Sequence, residues 1–80
     1  MLVHVKLFAT LQQRYWPDVP AGQVTPIELP ESSTVADLIR QLKIRENEIK
    51  VTFVNGRARA ELYRLKAGDE VGIFPPVGGG

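Results

Sequence analysis

The sequence predicts an α+β domain in which one sheet packs against one main helix. Three observations predict it. Leu2 to Phe8 alternates apolar and polar residues, with Val3, Val5 and Leu7 on one face and His4 and Lys6 on the other, the period of a half-buried strand. Val35, Leu38, Ile39 and Leu42 recur at helical spacing as a single apolar stripe. Alternation then resumes twice in the second half of the chain, and Asn55-Gly56 supplies the positive backbone angles of a tight hairpin between two of those segments.

At 80 residues, 44% of them hydrophobic, the chain has room for one core. A domain of this size buries only roughly 60–65% of its unfolded surface. Its single histidine and lack of cysteine leave neither disulfides nor a Cys/His metal cage to reinforce that core, so no metal site is expected. Ten basic residues against nine acidic ones give a net charge of +1. The basic residues are scattered, which disfavours nucleic acid or anionic lipid as a partner. No apolar run approaches the ~20 residues that span a bilayer, and Met1 to Lys6 lacks the apolar core of a signal peptide, so a cytoplasmic protein is expected.

The elements follow in order. After the first strand, Thr10 to Trp16 suits a short helix capped by Thr10 and stopped by Pro17. Pro17, Pro20 and Gly22 mark a loop. Val24 to Leu29 then places Ile27 and Leu29 on one face of a strand that Pro26 restricts to an edge or a bulge. Ser33 or Thr34 can cap the main helix, with Asp37 in its first turn. Ile49 to Val54 puts Ile49, Val51 and Phe53 on one face, Arg57 to Ala60 returns as a short strand, and Leu62 and Leu65 serve as core pegs. Ala67-Gly68-Asp69 turns the chain into a last strand that buries Val71 and Ile73 and ends near Phe74, where Pro75 and Pro76 stop the ladder. The domain is thus expected over residues 1–74, with a flexible tail over 75–80.

Catalytic vocabulary is sparse. Ser32, Ser33 and Thr34 sit where a helix cap is needed, and His4 belongs on an exposed strand face, so a nucleophilic triad is disfavoured. Glu46 with Glu48, and Asp69 with Glu70, read as solvated turn charges. Arg57, Arg59, Arg64 and Lys66 either solvate a hairpin or form a rim for an acidic partner, and Trp16 either anchors a partner or plugs one end of the core. There is no phosphate loop, because the only Gly-rich stretch is the last one. That stretch, Phe74-Pro-Pro-Val-Gly-Gly-Gly80, has a physical logic of its own. A diproline stiffens the departure from the sheet, and residues without Cβ atoms can thread a narrow channel. Extended, Pro75 to Gly80 reaches roughly 20 Å, far enough to deliver a terminal carboxylate into another protein's active site.

Gly68-Asp-Glu-Val71 followed by Phe74-Pro-Pro-Val-x-Gly-Gly80 resembles the C-terminal signature of the MoaD-type small subunit of molybdopterin synthase, in the MoaD/ThiS superfamily of ubiquitin-like sulfur carriers. Leu7-Phe-Ala9, Thr34-Val-x-Asp-Leu38 and Val54-Asn-Gly56 fit the same pattern more loosely. The resemblance implies a ubiquitin-like β-grasp fold, with a mixed sheet of four to five strands on one main helix plus a short helix. It also implies a non-catalytic, sulfur-donating subunit that binds no cofactor itself. The Gly80 carboxylate would be adenylated by an E1-like enzyme of the MoeB type, which uses ATP and magnesium, and converted to a thiocarboxylate. Gly78 and Gly79 would carry it into a MoaE-type large subunit, within a heterotetramer, where the sulfur attacks a pyranopterin precursor of the molybdenum or tungsten cofactor. Phe74, Pro75, Pro76 and Val77 would contact partners. Gly78 stands where relatives often carry a polar residue, and the loop from Pro17 to Val24 is longer than in compact relatives. A carrier for thiamine or tRNA thiolation, a ubiquitin-like modifier forming isopeptide bonds through Gly80, and an interaction module with an idle tail are the alternatives.

Overall fold

A computed structural model of the chain describes residues 1–76, so the expectations that fall on Val77, Gly78, Gly79 and Gly80 lie outside the described residues. The elements run β1 (Leu2–Leu7), α1 (Thr10–Tyr15), β2 (Thr25–Glu28), α2 (Val35–Leu42), a 3-10 turn over Glu46–Glu48, β3 (Val51–Val54), β4 (Arg57–Ala58) and β5 (Glu70–Phe74). The five strands form one mixed sheet in the order β2-β1-β5-β3-β4. Only the central pair, β1 with β5, is parallel.

Alternation in β1 becomes a buried row of Val3, Val5 and Leu7, and β5 adds Val71 and Ile73 beside them in register. Helix α2 covers this face with Val35, Leu38 and Ile39. The edge position of β2 explains its proline. His4, opposite Pro26, sends its N–H to the Asp69 carbonyl at 2.8 Å, so the missing N–H of Pro26 costs the ladder nothing. The Glu28 carbonyl on the same edge accepts from the Gln41 side chain at 2.8 Å, which further blunts it.

The start of α2 is fully partnered. Thr34 Oγ1 accepts from the Asp37 N–H at 3.2 Å while Asp37 Oδ2 accepts from the Thr34 N–H at 2.9 Å, a reciprocal capping box. The Val35 and Ala36 N–H groups donate to the Tyr63 and Glu61 carbonyls at 3.0 and 2.9 Å. Ser33, the other capping candidate, instead donates its hydroxyl to the Pro30 carbonyl at 2.7 Å. Asn55 (φ 52°) and Gly56 (φ 84°) close the β3–β4 hairpin as the sequence predicts.

Four local expectations need correction. Thr10 lies inside α1 and Ala9 holds the cap position, without a side-chain bond. The return strand is shorter than expected, Arg57–Ala58. In β3 the inward residues are Thr52 and Val54, while Val51 and Phe53 are half-buried on the other face. The cause is a bulge: the Lys50 N–H donates to the Phe74 carbonyl at 2.8 Å although Val51 is the register partner of Phe74. Two residues oppose one, so Ile49 still packs on the core while the residues after it change face. Finally, Leu65 is buried but Leu62 is 83% exposed. The Glu61 and Tyr63 carbonyls are committed to the helix start, which leaves the intervening side chain pointing away from it.

Replacing Thr34 by Ala is expected to cost about 1 kcal/mol of stability through the lost cap, read as a lowered denaturation midpoint; an unchanged midpoint would contradict this role. The Thr34 backbone N–H, then the Arg40 guanidinium, hold the Asp37 carboxyl below its usual value near 3.8. A depressed folded-state value means the contribution is complete above the unfolded value and is lost as pH falls through the folded one. The stability gap between the parent and Asp37→Asn should therefore close in that acid range; a gap independent of pH would contradict it.

Candidate functional site

Among the described residues no helix covers the sheet face opposite α2, and here the strands bring together residues distant in sequence. His4 and Lys6 come from β1, Gly72 and Phe74 from β5, Phe53 from β3, and Phe8 from just beyond β1. They line an open groove of about 590 Å³, with the half-exposed Val24 on its flank. At its centre the Phe8 and Phe74 rings stack at 4.0 Å between centroids and 11° between planes, and Phe53 meets Phe74 edge-on at 5.4 Å and 76°. Lys6 Nζ sits 4.8 Å from the Phe8 ring centroid.

Gly72 makes the stack possible. A Cβ on it would approach Phe8 Cε2 to 3.1 Å and Phe74 Cε2 to 3.5 Å. Without that atom the Phe8 ring can lie over the strand and reach Phe74. The aromatic cluster therefore sits where the chain leaves the sheet, with half-buried Pro75 and exposed Pro76 next along it. The stacked rings thus form an apolar platform at the end of β5.

The other candidates are not brought together. His4 lies on the open face, opposite Glu70 in register, whereas Ser33 and Thr34 are bonded at the start of α2 on the covered side. Asp69 is no solvated turn charge: it is buried, accepts from Asn55 Nδ2 at 2.9 Å and the Lys66 N–H at 2.8 Å, and so pins the turn before β5. Glu48 is likewise engaged, by the Tyr15 hydroxyl at 2.6 Å and Arg14 at 3.2 Å. Trp16 is half-buried against the core, as the plug reading expects. Among the described residues no three metal-ligating side chains converge, and no helix is long and apolar enough to cross a membrane.

Sequence reasoning named Phe74 as a partner contact but missed Phe53, Phe8 and Gly72 as its neighbours. The signals were present: Phe8 shares the parity of His4 and Lys6, and Gly72 separates the inward Val71 and Ile73.

Comparison with known proteins follows the same lines. The ThiS family model matches residues 5–80. No curated protein matches the sequence. Among solved structures, the putative molybdopterin converting factor subunit 1 of Pyrococcus furiosus is 36% identical over 96% of this chain and 99% of that one, with a TM-score of 0.75. The small archaeal modifier protein 1 of Haloferax volcanii is 24% identical over 95% of this chain and 98% of that one, at 0.74. A chain from the complex of subunits 1 and 2 of the molybdopterin-converting factor of Helicobacter pylori is 22% identical over the full length of both, at 0.63. The last two likenesses speak to fold alone, and with the first they establish the ubiquitin-like β-grasp that the five-stranded sheet and its helix predict. With 76 consecutive positions, from residue 5 to residue 80, matched to its model, the chain belongs to the ThiS family.

Proposed function

We propose that the chain is a sulfur carrier of molybdopterin biosynthesis, with Gly80 as its reactive terminus. The observation that carries this reading is the family match extending through residue 80, joined to the 36% identity with a putative molybdopterin converting factor subunit 1. The chemistry runs through the backbone. A carboxylate is a poor electrophile, because its charge repels nucleophiles and it has no leaving group. An E1-like enzyme of the MoeB type, using ATP and magnesium, lets the Gly80 carboxylate displace pyrophosphate and become an acyl adenylate. A sulfur nucleophile then attacks that carbonyl and AMP departs, leaving a thiocarboxylate. Gly78 and Gly79 thread a MoaE-type large subunit, in a heterotetramer, and present the sulfur to a pyranopterin precursor. The H. pylori neighbour, described as a complex of subunits 1 and 2, supports a large-subunit partner.

Phe74, backed by Phe8 and Phe53, supplies the contact at the root of the tail, continued by Pro75, Pro76 and Val77. Phe74→Ala is expected to weaken large-subunit binding about tenfold or more. Stability should fall only about 1–2 kcal/mol, short of the ~3–5 kcal/mol of a fully buried ring. Full affinity in titration calorimetry, or a loss of stability on the buried scale, would remove Phe74 from the interface.

Incubation with ATP, the cognate activating enzyme and a sulfur donor should raise the intact mass by the exchange of one oxygen for sulfur, and deletion of Gly80 should abolish the change. No adduct with an enzyme shown to adenylate would overturn the proposal. Lysine-linked conjugates without a thiocarboxylate would favour the modifier reading instead.

A further inference from the structure

We infer that the open sheet face, besides the role proposed for it, binds a second copy of the chain in a two-fold dimer, with β1 of each copy over β5 of the other. The starting point is an apolar surface that the chain's own elements leave bare. Among the described residues no helix covers this face, the Phe8, Phe53 and Phe74 rings stand on it, and Val24 on its flank is 48% exposed. Leu2, 46% exposed, shares the parity of His4 and Lys6 and extends the surface towards the start of β1. Contiguous apolar patches on a domain surface mark sites where something binds.

The strand registers name the occupant. β1 and β5 run parallel, with His4 opposite Glu70 and Leu7 opposite Ile73. A two-fold axis along the seam between two parallel strands exchanges them without reversing either. It therefore sets His4 against the second copy's Glu70, an imidazole N–H facing a carboxylate, and sets the Phe8–Phe74 stack against its own counterpart. Val24 precedes the Thr25–Val5 pair and so comes level with Lys6, while Phe53 is the register partner of Gly72 and lies level with it on the far side of the seam. The same axis brings Val24 against the second copy's Phe53. Each contact occurs twice, as a self-complementary interface requires. His4 and Glu70 are available for it: although they are register neighbours, among the described residues neither joins an ion pair. Sheets packed face to face with aligned strands stand ~10 Å apart with interdigitating side chains, a gap that these residues span from both sides.

Area sets the strength of the contact. Four strands ~4.8 Å apart and about five residues long offer a footprint of roughly 300 Å² per copy, well below the ~800 Å² per partner of a stable complex. The dimer is accordingly weak and dissociates on dilution. One consequence rests on the proposed function: when the carrier is in excess, self-association hides the root of the tail, and a large subunit that also holds the tail displaces the second copy.

The test follows the average mass of the parent chain and three variants by sedimentation equilibrium up to millimolar concentration. The parent's mass should rise towards that of two chains. Val24→Asp, at an exposed position, should melt with the parent and weaken self-association about tenfold or more. His4→Glu sets carboxylate against carboxylate and Glu70→Lys sets an ammonium group against the imidazole, so each alone should weaken it several-fold. An equimolar mixture of those two variants should recover it, because the introduced glutamate of one copy meets the introduced lysine of the other while the native pair survives in the second contact. No effect within a single chain can produce that recovery. A parent that stays monomeric at millimolar concentration, a dimer indifferent to Val24→Asp, or a mixture no tighter than its two components overturns the inference. Should His4→Glu fail to fold, Val24→Asp decides. Failure of the parent to acquire sulfur would overturn the proposed function and leave the dimer standing, so the two failures are distinguishable.

Discussion

The parallel pairing of β1 with β5 is the constraint on which the remaining structure depends. It joins the first strand of the domain to the last, so every intervening element is folded inside its closure. Its register aligns Val5 with Val71 and Leu7 with Ile73, and bonds from the Phe8 N–H to the Ile73 carbonyl at 3.1 Å and from the Gly68 N–H to the Leu2 carbonyl at 2.8 Å extend it at both ends. A slip of one residue in β5 would carry Val71 and Ile73 out of the core and drive Phe74 into it. The burial of two aliphatic residues thereby dictates which face presents the aromatic ring and where the tail departs.

From that register the division of labour between the two faces follows. One face is closed by α2 and holds the stability of the domain. The other remains uncovered because its central position is Gly72, over which Phe8 can lie, and because the bulge at Lys50 turns Phe53 towards Phe74. The fold places its three phenylalanines on the open face at the end of β5, while Tyr15, Trp16 and Tyr63 pack against the margin of a core that is itself aliphatic. A domain lacking cysteine and bearing one histidine on an open strand face has little side-chain chemistry to offer. On the proposed function, what it offers is a handle for a backbone carboxylate.

Much of this was legible in the sequence where the signals are local. The parity of β1 and β5, the stripe of α2 with Thr34 and Asp37 ahead of it, the Asn55-Gly56 turn and the edge placement of Pro26 each rest on a few adjacent residues. What escaped depended on distant partners. The facing of β3 is set by a bulge that exists only opposite Phe74 in β5. Leu62 and Leu65 look equivalent as apolar residues in a connection, yet the loop carbonyls are drawn to the helix start and expose the first of them. Asp69 reads as a solvated charge until Asn55 is folded against it. In the site, Phe74 was identifiable from the tail motif, whereas Phe8, Phe53 and Gly72 become its neighbours only through strand order.

The central claim is that the reactive group is the backbone carboxyl of Gly80, held out by a domain that contributes no side chain to the chemistry. Fragmentation of the terminal peptide after reaction with ATP, the activating enzyme and a sulfur donor tests it most directly. The claim predicts that the oxygen-for-sulfur mass difference resides in the fragment containing Gly80 and in no other. Sulfur on an internal residue, or an unmodified Gly80 in a carrier that nonetheless supports cofactor synthesis, would contradict it.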